Sequence, residues 1–143
     1  MTGVKVRVLA GGEHYALPVT FVKEIAELGE LSPVPGAPGQ ILGLRNLRGQ
    51  VLPVIGLAEV LGLDGAENER VVVVEDDGRQ LAFALQAVVE VEQLSGEIED
   101  VDSPFLEGAV LVDGALVGLV DVRAVFDSLA PHTAASSAPL EAA

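Results

Sequence analysis

The chain has 143 residues, half of them hydrophobic but only 3% aromatic, no cysteine, and a formal net charge of −14. That length fits one domain, or two small subdomains sharing a core. The missing cysteines exclude a disulfide framework and a thiolate metal site, and the acidic balance works against binding nucleic acid or anionic membranes. The charge is uneven: residues 1–50 sum to +1 and residues 51–143 to −15. Twenty-three valines tilt the chain toward β structure, because β-branched side chains lose freedom in helices and pack well on a pleated surface.

Val4, Val6 and Val8 alternate with Lys5 and Arg7, predicting a half-buried strand. Gly11-Gly12 turns it into a second strand over Tyr15–Val19. Val22, Ile25 and Leu28 then recur three apart, the spacing of a single helical turn running back into extended chain. Pro33, Pro35 and Pro38 mark a loop. Strands are predicted over Ile41–Leu47 and Gln50–Ile55 around Arg48-Gly49, with Pro53 requiring an edge or bulge in the second. A short helix begins at Leu57 and closes at Gly62, and Asp64–Glu69 reads as a polar connector.

Val71–Val74 reads as a buried strand, returning through Asp77-Gly78 into Gln80–Leu85. Val89 and Val91 alternate with Glu90 and Glu92 in another strand, followed by the acidic loop 95–104. A last hairpin over 109–120 turns at Asp113-Gly114, and Val122–Leu129 reads as a helix. Residues 131–143 are small, polar and Pro-containing, predicting a disordered tail. Nine or ten short strands with a turn about every ten residues predict an all-β barrel or paired barrels.

Little in this inventory suggests catalysis. The only histidines are His14, in a predicted turn region, and His132, in the tail, and neither is expected beside a nucleophile. Glu97, Glu99, Asp100 and Asp102 (loop 97–102) can be imagined around a hard cation, yet they lack EF-hand spacing and read better as a solvated loop. This loop carries the alternative reading of a small β-barrel enzyme or a ligand- or metal-binding module. No phosphate-cradling glycine motif is present, and two arginines without nearby aromatics do not make a nucleic-acid groove. Protein binding remains. Arg45 and Arg48 fit an interface hot spot or a solubilised turn equally well. The first ten residues lack a signal-peptide h-region, and no apolar run reaches the ~20 residues of a spanning helix. The expectation is a cytoplasmic protein without direct membrane insertion.

Residues 39–63, GQILGLRNLRGQVLPVIGLAEVLGL, resemble the central motif of the CheW-like domain family, x-G-x-x-N-L-R-G-x-x-x-P-V-x-x-L-x-x-x-L-G. Gly43, Asn46, Leu47, Arg48, Gly49, Pro53, Val54, Leu57, Leu61 and Gly62 fall on its marked positions. YALPVTFVKEI, SPVPGAP, LAFALQAVVEV and FLEGAVLVDGALVGLVDVRAVF are similar to the family's flanking segments, extending the resemblance over residues 4–128.

The resemblance implies an all-β fold: two small SH3-like five-stranded barrels packed through a shared hydrophobic core, with short helices, over residues 1–130. It implies a stand-alone, non-catalytic adaptor of chemotaxis without cofactor. Its partners would be the regulatory domain of a CheA-type histidine kinase and the helical cytoplasmic tip of chemoreceptors, at membrane receptor arrays. By motif position the receptor-binding residues would be Val19, Val22, Ile25, Asn46, Arg48, Gly49 and Val88, with Val6 as a less defined neighbour. Arg45 falls at a variable position and is expected to be a solvated charge. Gly56 and Gln86 stand where the family commonly has Asp or Asn, and Asp. These departures leave partner choice open, including a diverged adaptor of a twitching-motility-type pathway.

Overall fold

The run Val71-Val72-Val73-Val74 shows how this chain builds its interior. All four valines are buried, but alternate ones face two different cores, so the strand needs apolar residues on both sides. A computed structural model describes residues 3–63 and 67–129. The expected tail over 131–143, with His132, and Asp64–Ala66 of the polar connector lie outside the described residues.

The elements are β1 (Gly3–Ala10), β2 (Glu13–Pro18), a 3-10 turn (Val19–Phe21), β3 (Val22–Glu27), β4 (Ile41–Leu47), β5 (Gln50–Gly56) and α1 (Leu57–Val60). They continue as β6 (Arg70–Asp76), β7 (Arg79–Leu85), β8 (Ala87–Leu94), β9 (Leu106–Val112), β10 (Ala115–Val120) and α2 (Val122–Ser128). The strands form two five-stranded sheets, ordered β8-β1-β2-β10-β9 and β3-β6-β7-β5-β4. This is the expected all-β, SH3-like fold with few helices.

The two sheets repeat one plan. In each, three antiparallel strands are joined by a short parallel pairing to a hairpin: Tyr15↔Gly118 and Ala16↔Leu119 in the first, Val54↔Ala82 through Gly56↔Ala84 in the second. A helix follows each hairpin. Each sheet takes two strands from one half of the chain and three from the other, because the chain passes to the second sheet after β2 and returns to the first after β7. The curled sheets close by matching bridges, Ser32↔Leu44 and Glu99↔Ala109. Gly43 and Gly108 make these closures possible. A Cβ on Gly43 would lie 2.7 Å from the Ser32 carbonyl, and one on Gly108 would lie 2.8 Å from that of Glu99.

Three apolar clusters follow. Leu52, Val54, Val71, Val73, Ala82 and Ala84 fill the second barrel, and Ala16, Leu94, Val110, Val117 and Leu119 fill the first. The largest lies between them and is shared, with Val6, Val8 and Leu17 from one sheet, Val72, Val74 and Phe83 from the other, and Phe126 from α2.

Several expectations need correction. Val6 and Val8 face the shared core, but Lys5 and Arg7 do not face open solvent. Lys5 is only 6% exposed, and Arg7 forms an ion pair with Glu92 at 2.8 Å. His14 lies within β2, opposite Leu9, rather than in the turn. Pro53 pairs with Leu44 on one side only, since β7 reaches β5 no earlier than Val54. This gives Pro53 the edge character that its missing N–H requires.

Candidate functional site

The segment carrying Val19, Val22 and Ile25 does not form one helical turn. Only Val19–Phe21 is helical, and Val22–Glu27 is an edge strand paired with β6. The three-residue spacing has a different origin. Val22 pairs with Val74 and Ile25 with Val72, while a register shift between Val22 and Glu24 leaves Lys23 unpaired. This β-bulge puts Val22 and Ile25 on the same face, toward the shared core, where a regular strand would put them on opposite faces. Val22 is partly buried against that core, whereas Ile25 is 46% exposed and Val19 37%.

The same device recurs in β8. Val88 pairs with Val8 and Val91 with Val6, with a register shift that leaves Val89 unpaired. Val88, like Val22, packs against the shared core, and Val91, like Ile25, lies outward on the same face, 59% exposed. Val91 was not singled out from sequence. The signal was present in the 88–91 spacing, which repeats 22–25, but it reads as strand alternation until the bulge is known.

Asn46, Arg48 and Gly49 form the β4–β5 turn. Leu47 pairs with Gln50, and Arg48 and Gly49 between them both have positive φ, 56° and 83°, as a two-residue hairpin turn requires. The Asn46 Oδ1 accepts the Gly49 N–H at 3.1 Å and fixes the loop. The Arg48 side chain is 80% exposed and meets Glu24 Oε2 at 3.0 Å. Glu24 pairs with Val73, so Arg48 reaches β3 from the face opposite Val22 and Ile25. The structure therefore brings the turn and the apolar edge together on one strand, on its two sides.

Arg45 is not simply a solvated charge. Its Nε donates to the Leu28 carbonyl at 2.9 Å and ties β4 to the chain leaving β3. Gly29 leaves the space this guanidinium occupies, since a Cβ there would lie 2.6 Å from the Arg45 Nε. Gly56 is the N-cap of α1 and offers no side-chain cap, and Glu59 packs over it. In the matching position after β10, Asp121 caps α2 by accepting the Ala124 N–H at 3.0 Å. Gln86 donates its backbone N–H to the Leu9 carbonyl at 2.8 Å, where β7 passes into β8.

Glu97, Glu99, Asp100 and Asp102 are all exposed, and Glu99 uses its backbone to bridge Ala109. Among the described residues, no group of three or more His, Asp or Glu side chains converges as metal ligands would. Among the same residues, no helix is long and apolar enough to cross a membrane.

Paired SH3-like barrels that present an exposed apolar edge and a charged hairpin turn define a protein-binding scaffold. Comparison with known proteins gives this class a family. The model of the CheW-like domain matches residues 6–130. The chemotaxis protein CheW of Rhizobium meliloti is 27% identical over 129 residues, covering 82% of this chain and 83% of that protein. The crystal structure of the scaffolding protein TtCheW from Thermoanaerobacter tengcongensis superposes with a TM-score of 0.74 at 27% identity, covering 85% of this chain and 90% of the other. The chemotaxis protein CheA of Salmonella typhimurium is 28% identical over 135 residues, which are 87% of this chain but 19% of that protein. The chain belongs to the CheW-like domain family, and its function is that of a chemotaxis coupling adaptor.

Proposed function

We propose that this protein, without catalytic activity of its own, joins a CheA-type histidine kinase to the helical cytoplasmic tip of chemoreceptors, in the cytoplasm beside receptor arrays. The similarity to part of CheA supports the kinase as one partner. On this reading the kinase's regulatory domain is the part engaged. The receptor tip would lie along an apolar groove walled by Val19, Val22 and Ile25 and by Val88, with Val91 extending the second wall. Arg48, held by the Asn46–Gly49 turn, would present its guanidinium at the rim.

One observation carries the proposal. Bulges in β3 and β8 set matched pairs of apolar residues on strand faces that begin in the shared core and end in solvent. A strand face that is half core and half exposed suits the apolar stripe of an amphipathic helix. Co-sedimentation with receptor-containing membranes, with and without the kinase, tests the adaptor role. Retention by both partners is expected; retention by neither overturns it. The alternative of a metal- or ligand-binding barrel gains no support from a loop whose carboxylates are all exposed. A twitching-motility-type pathway would use the same surfaces with a different receptor tip.

A further inference from the structure

Each helix straps onto the hairpin turn of the opposite sheet, but by different chemistry. After β5, α1 and the residues following it cover the β1–β2 turn with apolar atoms. A Cβ on Gly11 would lie 2.9 Å from Leu63 and 3.2 Å from Ala58. After β10, α2 meets the β6–β7 turn through charge. Arg123 Nε contacts Asp76 Oδ1 at 3.2 Å, Asp76 Oδ2 contacts Arg79 at 2.8 Å, and Arg79 contacts Asp127 Oδ1 at 3.1 Å. The four charges alternate in sign along a chain that starts and ends on α2. Its inner member, Asp76, is 10% exposed, and its ends, Arg123 and Asp127, are 69% and 72% exposed.

Two aromatic rings complete the clasp. The Arg79 guanidinium lies 4.8 Å from the Phe126 ring centre, and that of Arg123 lies 5.5 Å from the ring of Phe21. Phe21 is the last residue of the 3-10 turn, between Val19 and Val22, and packs on the shared core. Arg123 therefore touches the β6–β7 carboxylate and the segment that presents Val19 and Val22. A shallow cleft of about 350 Å³ lies beside it, lined by Thr20, Phe21, Lys23, Glu75, Asp76 and Arg123 among others.

We propose that Arg123 and Asp76 are positioning residues: through Phe21 they hold the 3-10 turn in the place from which Val19 and Val22 form the first wall of the receptor groove. The binding half of this inference rests on the groove reading; the positioning half is legible in the free protein. The Val22 N–H donates to the Val19 carbonyl, so its hydrogen exchange reports on the 3-10 turn directly.

The test compares the full chain with its Arg123→Ala and Arg123→Lys variants. Val22 amide exchange in Arg123→Ala is expected to be about tenfold faster, with the β1–β2 amides unchanged, since a cation–π contact and an ion pair are lost together. Affinity for a receptor-tip fragment is expected to fall about fivefold, and Arg123→Lys, which keeps the charge over the ring, to restore both within about twofold. Unchanged Val22 exchange overturns the positioning, as does a uniform rise across all strands, which marks general destabilisation instead. Wild-type affinity in Arg123→Ala overturns the link to binding. A wild-type protein that does not bind the tip overturns the groove reading and the binding half with it, while Val22 exchange still decides the positioning.

Discussion

Arg48 and Glu24 meet at 3.0 Å between the β4–β5 turn and the edge strand β3, and Arg48 does so from a left-handed backbone with φ 56°. Among the described residues, only two other non-glycine residues have positive φ, Asp77 and Asp113, both in hairpin turns before a Gly. Aspartate tolerates that conformation through its short polar side chain, and arginine gains no such relief. The turn therefore keeps a residue that is locally unfavourable, which accords with the partner role proposed for its side chain.

Arg48→Asn should stabilise the isolated protein by about 0.5–1 kcal/mol, since the exposed ion pair it loses contributes less than the strain it relieves. The same variant should bind receptor tips more weakly. Urea unfolding and a receptor pull-down measure the two effects separately, and a variant that loses stability contradicts the strain argument.

Ile25 and Val22 share a face but not an environment, and their substitutions should separate stability from binding. Ile25→Glu acts on an exposed side chain and should change stability by less than about 0.5 kcal/mol while weakening tip binding about tenfold or more. Val22→Asp places a carboxylate against the shared core and should cost about 1–3 kcal/mol. Denaturation midpoints beside binding isotherms give both readouts, and equal destabilisation by the two variants would show that the face is core throughout.

Local signals carried much of this fold. The turns at Gly11-Gly12, Asp77-Gly78 and Asp113-Gly114, and the Gly62 stop of α1, are where the sequence puts them, because each depends on two or three adjacent residues. What escaped depends on partners distant in sequence. The bulges at Lys23 and Val89 exist only in the pairing with β6 and β1, so Val22 and Ile25 resembled a helical turn and Val91 an ordinary alternation. Lys5 and Arg7 looked solvent-facing because the sequence does not show that the first sheet curls over them. Arg45 looked free because its acceptor, the Leu28 carbonyl, lies across the barrel closure.

Gly43 tests that closure. Its φ of 155° disfavours a side chain, and a Cβ would lie 2.7 Å from a backbone carbonyl that cannot rotate away. Gly43→Ala should cost about 3 kcal/mol, combining backbone strain with separation of the Ser32↔Leu44 bridge. A thermal melt measures the loss, and wild-type stability would show that the closure is loose.

Asp76 gives the clasp a pH signature. A hydrogen bond from Arg79, and then the Arg123 guanidinium, hold its carboxyl below the usual aspartate range. A depressed folded-state value means that the stabilisation is fully present above the unfolded value, about 3.9, and is lost as the pH falls through the lower folded value. The difference in Tm between wild type and Asp76→Asn should therefore be constant from pH 7 to 5 and shrink only below about pH 4. A difference that disappears already between pH 7 and 5 would contradict the assignment.

The most direct test of the central claim is to map a receptor-tip fragment onto the isotopically labelled protein by amide chemical shifts. Binding along the proposed groove predicts the largest changes at Val19, Val22, Ile25, Val88 and Val91, with a second group at Asn46, Arg48 and Gly49. Changes centred on the acidic loop 97–102, with those residues unmoved, would contradict it.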